Sequence, residues 1–354
     1  MRIVDADGHV VEPPDLWDRH APARFRAAAP RVVVDDEGHL RYRLEGRLTP
    51  RLPFMDAAGE RPRFVPPAGG SDPRARLADL DAEGIAAAVL YPSTGLLLGG
   101  VEDPPTAVAL CRAYDDWLAE YCAADARRLF GAAAVPLQDP AAAAEEAVRL
   151  GFRAVFVRPN PFQGRTLGDP VYDRLWATCA EAGVAVAVHE GTTLHVPTAG
   201  ADRFPDFFSL HAVSHALEQQ LALVALVTGG VLERHPRLRV VFLESGAAWV
   251  PYWLERLDAH FEKWGWMLPS LRTRPSELFR RQCWVSCDGD EATLPATADF
   301  LGADRLVWAS DYPHPDAIFP GAPRALLARD DVAGDVKERI FVRNAAALYG
   351  LEEP

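Results

Sequence analysis

Three ionisable residues alternate along the start of the chain. Residues 3 to 9 read Ile-Val-Asp-Ala-Asp-Gly-His, which places Asp5, Asp7 and His9 at every second position. Side chains at this spacing share one face of a β-strand, so the three groups point the same way. Two carboxylates and an imidazole on one strand face could bind a metal ion, whereas a buried strand ordinarily carries apolar side chains there.

Other polar residues stand at the ends of later apolar runs. His189 ends one such run and Asp311 ends another. If the runs are parallel strands of one barrel, their carboxyl ends meet at the barrel mouth, where barrel enzymes do their chemistry. Two imidazoles and two carboxylates would then form a mixed N/O set that suits zinc, manganese or iron. Each residue alone also has a structural interpretation, because strand-end aspartates often cap helices and buried histidines are often simply hydrogen-bonded.

Eight short apolar runs alternate with longer amphipathic segments. Apolar runs flanked by helices are typical of parallel strands that are buried on both faces. Eight such units in 354 residues predict a single-domain (βα)8 TIM barrel spanning residues 1–354. A doubly wound open sheet is the alternative, although no glycine-rich dinucleotide fingerprint follows the first run. The predicted strands are 3–7, 86–92, 129–137, 153–159, 184–191, 239–245, 283–288 and 305–311, and the main predicted helices are 107–124, 140–151, 169–183, about 209–233, 247–264 and 335–349.

Residues 20–75 depart from this alternation and are predicted to be an insertion after the first strand. The segment is rich in Arg, Pro and Gly, and RVVVDDEGHLRYRL predicts a hairpin that turns at residues 36–38. The insertion leaves the barrel on the side where active sites lie. A lid, a subunit contact and a passive surface excursion are the three interpretations that the sequence leaves open.

Composition limits the class of protein. The formal net charge of −13 excludes a typical nucleic-acid binder, which needs a basic face. The five cysteines are odd in number and lack CxxC spacing, which is typical of reduced core residues in a cytoplasmic protein. We find neither a secretory leader nor an apolar run long enough to span a membrane. The expectation is a cytoplasmic enzyme with a small-molecule substrate.

Six segments together resemble a known family. They are DADGHVVEPPDLW, RLADLDAEGIAAAVLYPS, GFRAVFVRPNP, VAVHEG, GGVLERHPRLRVVFLESGAAWVPYWLERLD and WASDYPHPD. In this order they resemble the amidohydrolase-related (amidohydrolase 2) family of the amidohydrolase superfamily, which includes aminocarboxymuconate-semialdehyde decarboxylase and γ-resorcylate decarboxylase. The resemblance covers nearly the whole chain. It implies a (βα)8 barrel with one divalent metal ion at its mouth, and relatives of this kind are often dimers, so a homodimer is expected.

The resemblance also implies a set of metal ligands. Asp7 and His9 match the acid-x-His motif of the first strand, His189 matches the fifth-strand histidine, and Asp311 matches the eighth-strand aspartate, which is both ligand and proton carrier in the superfamily. Zinc is the preferred ion, with manganese or iron as alternatives. Asp5 lies one strand repeat deeper and is predicted to support the ligands rather than to bind the ion.

One position departs from the family pattern. Relatives usually carry a histidine at the end of the sixth strand, where this chain has Glu244. A carboxylate can act as a base or an acceptor, but it cannot offer a cationic donor to a carboxylated substrate. His211, His215 and Glu218 fall at i, i+4 and i+7 of a predicted helix, so they share one face. We predict that His215 compensates, oriented by Glu218, and that Glu244 and His215 join Asp311 as catalytic residues; a solvent-facing helix start is the alternative.

Three further residues are predicted to contact the substrate. Arg158, at the end of the fourth strand, could bind a carboxylate, or it could pair with a neighbouring acid. His314 follows Asp311 in DYPHPD, and Trp249 could line an aromatic pocket, although tryptophans at helical spacing are more often core residues.

Two reactions fit the same four ligands. The preferred one is hydrolysis of a small, cyclic or aromatic substrate, in which a metal ion activates water and Asp311 moves the proton. The alternative is non-oxidative decarboxylation of an aromatic or muconate-type acid, with Asp311 protonating the ring carbon. Glu244 favours hydrolysis over decarboxylation, because another anion at the barrel mouth disfavours a carboxylate substrate. A barrel that has lost catalysis and only binds ligands is the remote alternative.

Overall fold

The computed structural model describes residues 1–51, 64–191 and 195–352. Its strands are β1 (Ile3–His9), β2 (Arg31–Val34), β3 (Leu40–Leu44), β4 (Arg47–Leu48), β5 (Ile85–Tyr91), β6 (Leu129–Ala134), β7 (Ala154–Val157), β8 (Ala185–His189), β9 (Val240–Leu243), β10 (Cys283–Cys287) and β11 (Leu306–Trp308). Eight of them form one parallel sheet in the order β1-β5-β6-β7-β8-β9-β10-β11.

The sheet curls into a barrel whose last and first strands meet. Just beyond β11, the Asp311 N–H donates to the Asp7 carbonyl at 3.0 Å, and the His9 N–H donates to the Tyr312 carbonyl at 2.7 Å. Residues of β7, β8, β9 and β10 are buried without exception, as expected for parallel strands covered on both faces. The predicted (βα)8 TIM barrel is therefore confirmed.

Helices cover the outside of the barrel. They are α1 (Leu16–His20), α2 (Pro73–Glu83), α3 (Pro104–Cys122), α4 (Pro140–Arg149), α5 (Asp173–Ala182), α6 (Phe207–Thr228), α7 (Val231–Arg234), α8 (Trp249–Trp264), α9 (Pro275–Gln282), α10 (Leu294–Leu301), α11 (Ala322–Leu327), α12 (Gly334–Glu338) and α13 (Asn344–Tyr349). Aspartates cap several of their N-termini: Asp72, Asp103 and Asp139 each accept a bond from the first turn, and a proline follows each of them.

Several barrel strands end earlier than predicted, among them the two that lead into Glu244 and Asp311. β9 ends at Leu243 and β11 at Trp308, although the sequence predicts strands to residues 245 and 311. The backbone explains the difference, because Glu244 has φ 52° and Asp311 has φ 53°. These left-handed conformations are incompatible with a strand. Both carboxylates therefore lie on the turns that leave the strands.

The predicted hairpin is present and carries one more strand. β2 pairs antiparallel with β3, and β3 pairs with β4, which forms a separate three-stranded sheet. β4 contacts two loops at the carboxyl ends of barrel strands: the Leu48 carbonyl lies 2.7 Å from His195 Nε2, and Arg47 pairs with Glu102 at 2.8 Å. The small sheet thus lies on the side of the barrel mouth. Residues 52–63 of the predicted insertion fall outside the described residues.

Helix α6 is apolar on both its inner and outer faces. Ala222, Leu223 and Leu226 are buried, whereas Leu217 and Leu221 are exposed on the opposite side. A helix that is apolar all round is usually covered on all sides. Within the described part of the chain, no helix combines the length and hydrophobicity that a membrane crossing requires.

Candidate metal centre at the barrel mouth

The four predicted ligands converge at the barrel mouth. His9 Nε2 lies 3.1 Å from His189 Nε2 and 3.4 Å from a carboxylate oxygen of Asp311. Asp7 Oδ1 lies 3.4 Å from His9 Nε2 and 3.7 Å from His189 Nε2. The strand register brings them together, since Asp7 and His9 end β1 and His189 ends β8. Four side chains from three parts of the chain thus face one point.

The two imidazoles present lone pairs to each other. His9 Nδ1 lies 2.8 Å from the Pro92 carbonyl, and His189 Nδ1 lies 2.5 Å from the Glu190 carbonyl. A carbonyl only accepts, so each Nδ1 carries the proton and each neutral ring leaves Nε2 unprotonated. Burial lowers the pKa of both rings, that of His189 to about 3. Two unprotonated nitrogens at 3.1 Å repel each other unless a cation lies between them.

The buried Asp7 carboxylate also indicates a bound cation. Its side chain is fully buried, and neither carboxylate oxygen has a hydrogen-bond partner among the described residues. It caps no helix, which excludes the structural interpretation of this strand-end aspartate. Burial, then the nearby charges of Asp311 and Glu244, raise the pKa of Asp7 well above its usual value. A buried carboxylate without donors beside two nitrogen lone pairs fits a divalent ion with N/O ligands.

Asp5 links the first and last strands of the barrel. Its carboxylate accepts bonds from the Ser310 N–H at 3.0 Å and the Ser310 hydroxyl at 2.5 Å, and it lies 3.3 Å from the Asp7 N–H. The Ser310 hydroxyl in turn accepts from the Tyr312 N–H at 3.0 Å. Asp5, together with the Ser310 hydroxyl, therefore holds the backbone on both sides of Asp311. Its role in supporting the ligands stays a prediction.

His314 lies against the ligands rather than in the cavity. Its ring stacks on His9 with centroids 3.9 Å apart, and its Nδ1 lies 2.7 Å from Asp311 Oδ1. Its Nε2 lies 2.9 Å from the Ser93 hydroxyl, which donates its own proton to the Val10 carbonyl. The Ser93 hydroxyl therefore accepts a hydrogen bond from His314 Nε2, while Nδ1 is the nitrogen that faces Asp311. His314 thus contacts Asp311, and its predicted substrate contact stays a prediction.

Glu244 lies between the four ligands and helix α6. Its Oε2 is 3.1 Å from His189 Nε2, and its Oε1 is 3.4 Å from His215 Nε2. Burial raises the pKa of Glu244 to about 7. Glu244 and Asp311 share a left-handed backbone, and such strain clusters at functional sites. The predicted catalytic residues Asp311, Glu244 and His215 thus surround one space.

The other predicted contacts lie away from this space. The Arg158 guanidinium is buried beside a small cavity of about 30 Å³ and donates to the Asn160 side chain and the Gly191 carbonyl, with Glu190 at 3.3 Å. Neighbouring acceptors engage its Nε and one terminal nitrogen, while the other terminal nitrogen is buried without a partner among the described residues, so both interpretations of Arg158 stay open. Glu218 accepts a bond from the Ala199 N–H at 2.5 Å, so it is engaged with the backbone rather than with His215.

Trp249 is a core residue. Its side chain is buried, its ring meets Phe242 edge to face at 5.8 Å, and its Nε1 lies 3.3 Å from the Ser245 hydroxyl. Helix α8 begins at this residue and directs the ring inward, so the substrate contact predicted for Trp249 does not fit its position.

The open space at the mouth is a cavity of about 350 Å³. Its lining is acidic, and no Lys or Arg lines it among the residues that the structure describes. Two of its acidic residues, Asp290 and Asp316, are not among the predicted site residues, although Asp316 lies in the DYPHPD segment. The titratable lining residues are Asp7, His211, His215, Glu244, Asp288, Asp290, Asp311 and Asp316.

The (βα)8 barrel and the convergence of Asp7, His9, His189 and Asp311 at its mouth are typical of a metal-binding barrel protein. Residues 4–351 match the family model described as Amidohydrolase, and the chain belongs to that family. The predicted family is confirmed. The chain is therefore an enzyme, either a hydrolase or a carboxy-lyase.

Curated relatives share about a quarter of their residues with the chain. A 2-amino-3-carboxymuconate-6-semialdehyde decarboxylase from Dictyostelium discoideum is 24% identical over 287 residues, which is 79% of this chain and 77% of the relative. A gamma-resorcylate decarboxylase from Rhizobium sp. (strain MTP-10005) is 29% identical over 255 residues, or 67% and 76% of the two chains. The relatives favour decarboxylation over the hydrolysis that the sequence analysis preferred.

Solved structures share the fold over nearly the full length. An amidohydrolase from Mycobacterium avium subsp. paratuberculosis K-10 superposes with a TM-score of 0.80 at 26% identity and covers 99% of this chain and 98% of its own. A 5-carboxyvanillate decarboxylase from Sphingomonas paucimobilis gives 0.73 at 25% identity and covers 99% of each. A dihydroxybenzoic acid decarboxylase from Polaromonas sp. JS666, with bound manganese and 2-nitroresorcinol, gives 0.69 at 20% identity, covering 100% and 98%.

Proposed function

We propose that the chain is a metal-dependent, non-oxidative decarboxylase of a small aromatic or muconate-type acid. The convergence of Asp7, His9, His189 and Asp311 at the barrel mouth carries the proposal. The relatives named for decarboxylation of such acids support it. Hydrolysis would use the same four residues, so their convergence supports either reaction.

The four ligands would hold one divalent ion. Two imidazole nitrogens and two carboxylates suit zinc, manganese or iron. Zinc is the ion expected from the sequence, and the manganese in the Polaromonas decarboxylase supports manganese equally. When bound, the ion would hold the substrate carboxylate with an adjacent oxygen and stabilise negative charge there.

Asp311 is the proposed proton donor. Asp311 lines the cavity, whereas His9 and His189 are fully buried and do not line it. Asp311 would give a proton to the ring carbon that bears the carboxylate. The bond from that carbon to the carboxylate carbon then breaks, its electron pair returns to the ring, and CO₂ leaves. His314, 2.7 Å from Asp311, orients the donor.

Glu244 and His215 would face the substrate from the β9 side. Both line the cavity, and Glu244 Oε1 lies 3.4 Å from His215 Nε2. Placed there, they would help to position the ring that Asp311 protonates.

Hydrolysis of a neutral ester, lactone or amide is the second candidate. The observation that favours it is the acidic lining of the cavity, which repels an anionic substrate. The two candidates therefore differ in the charge of the substrate that enters.

Product analysis separates the two candidates. We would incubate the purified, metal-loaded protein with a panel of 2-hydroxybenzoates and with small lactones and amides. Release of CO₂ in equal amount to the decarboxylated phenol is expected from one or more of the acids, and Asp311→Asn should abolish it. Asp299→Asn, an exposed carboxylate on α10, is the matched control and should retain activity. Ring opening of a lactone without any CO₂ release would refute the proposal.

We also propose a homodimer formed through α6 and α8. Leu221 and Tyr252 are 53% and 60% exposed on these two helices, which adjoin where Trp253 Nε1 donates to the Gln220 carbonyl. Exposed apolar side chains on adjacent helices are typical of subunit contacts. Leu221→Glu should yield monomers in analytical ultracentrifugation, and Val148→Glu on α4 is the control. The cytoplasmic location remains a prediction.

A further inference from the structure

Helix α6 presents a pair of histidines to the cavity. His211 and His215 are one turn apart, their rings lie 4.1 Å from each other, and His215 is almost fully buried. His215 Nε2 lies 3.4 Å from Glu244 Oε1, and His211 Nε2 lies 3.8 Å from an oxygen of Asp316. Two histidines at i and i+4 of a helix are a spacing that binds divalent metals. A carboxylate facing them supplies a third ligand.

Glu244 faces two groups of nitrogens with its two oxygens. Oε2 lies 3.1 Å from His189 in the four-residue cluster, and Oε1 faces His215 on α6. Buried Glu244 Oε2 has no hydrogen-bond partner among the described residues. His211, His215 and Glu244 place ligand atoms within 4.8 Å of one another. One carboxylate thus lies between two sets of metal-type ligands.

The charge of the cavity also calls for more than one cation. Six carboxylates line it, and no basic side chain does so among the described residues. One divalent ion offsets only two negative charges. An anionic substrate would still meet a negative wall, since unscreened like charges a few ångströms apart repel strongly at low dielectric.

We propose that His211, His215 and Glu244 bind a second divalent cation, distinct from the ion of the four-residue cluster, with Asp316 as an additional oxygen ligand. The two imidazoles suit zinc or iron, and the carboxylates also suit manganese, whereas calcium and magnesium prefer oxygen ligands. The second cation would neutralise the wall of the cavity that faces the substrate. That consequence rests on the proposed decarboxylation, but the binding of the ion does not.

Metal stoichiometry tests the proposal without any assay of activity. The purified chain would be saturated with manganese, freed of unbound ion by gel filtration, and measured by elemental analysis. We expect two ions per chain in the wild type and one in both His211→Asn and His215→Asn. His260→Asn is the matched control, because His260 is exposed and lies 2.9 Å from the Arg256 carbonyl of its own helix; it should keep two ions.

Electron paramagnetic resonance gives a second measurement. Two manganese ions that share Glu244 should give an exchange-coupled spectrum, and His211→Asn should convert it to that of isolated ions. His211 is partly exposed, so this variant should fold, which circular dichroism would check. A wild type that saturates at one ion, or a His211→Asn variant that keeps two, would overturn the second site. If the wild type binds one ion per chain and still releases CO₂, only the second metal site is refuted. If it binds two ions and catalyses only hydrolysis, only the proposed decarboxylation is refuted.

Discussion

Replacing Asp7 by Asn should have opposite effects on the metal-free and the metal-bound protein. The Asp7 carboxylate is fully buried with no hydrogen-bond partner among the described residues. Without an ion, this charge opposes folding, and an amide of the same shape removes it. With an ion, the same change removes a predicted ligand.

The size of both effects follows from the burial. Leaving a buried polar group unsatisfied costs about 1–3 kcal/mol. A chain of 354 residues gains about 0.7 kcal/mol/K of entropy on unfolding, so the metal-free variant should melt about 1–4 °C higher than the wild type. At a metal concentration about 1,000 times Kd, one ion adds about 4 kcal/mol, or about 6 °C. A 100-fold weaker affinity would reduce that increment to about 2 °C.

Differential scanning calorimetry with and without added manganese measures both quantities. Glu12→Gln is the matched control: Glu12 is also buried, but its two oxygens accept bonds from the Thr94 and Gly95 N–H groups, each at 2.8 Å. The control should melt lower without metal and keep the full metal increment. If Asp7→Asn behaved like Glu12→Gln, Asp7 would be a structural residue and its assignment as a ligand would be refuted.

Three further predictions concern the ligands, a buried carboxyl and a close backbone contact. His189→Ala should lose the ion of the four-residue cluster together with activity, as measured by elemental analysis and turnover; full activity would overturn the site. Burial raises the pKa of Glu291 from 4.5 to about 7. The stability it contributes is therefore complete below pH 4.5 and is lost, by up to about 3 kcal/mol, as the pH rises to about 7. Chemical denaturation of Glu291→Gln should show a flatter pH dependence over that window, and an unchanged one would contradict the shift. Gly168→Ala should lower the melting temperature by a few degrees, because its Cβ would lie 2.1 Å from the Ala225 carbonyl oxygen; an unchanged melting temperature would show that this contact relaxes freely.

The barrel strands could be predicted because each one is a continuous buried run. β8 up to His189 and the whole of β10 consist of apolar or small residues, which a two-sided burial requires. Asp7 and His9 could also be predicted as candidate ligands. They alternate on one strand, and two polar side chains on one face of a buried strand are expected only at its end, at the barrel mouth. His189 and Asp311 stand at the ends of later apolar runs, and the family resemblance identified them as ligands. Sequence spacing alone could not bring β1, β8 and the turn after β11 to one point.

The remaining parts of the site depend on contacts between distant segments. Ser93 binds His314 across 221 positions of the chain, and Gln219 donates to the carbonyls of Val188 and Leu243, directly before His189 and Glu244. A serine in a loop and a glutamine on a helix carry no local pattern that distinguishes them from surface residues. Trp249 shows the opposite case, because only the direction of α8 decides whether its ring meets the core or the cavity.

The left-handed turns at Glu244 and Asp311 have a consequence for how this sequence can evolve. Glycine adopts such a backbone without steric penalty, whereas a residue with a Cβ is strained by about 1 kcal/mol or more. Glycine at either position would also remove a buried negative charge beside Asp7. A lineage released from selection for its reaction would therefore gain stability by losing these two carboxylates. Their retention in a homologue is thus a marker of continued catalysis that can be followed from sequence alone.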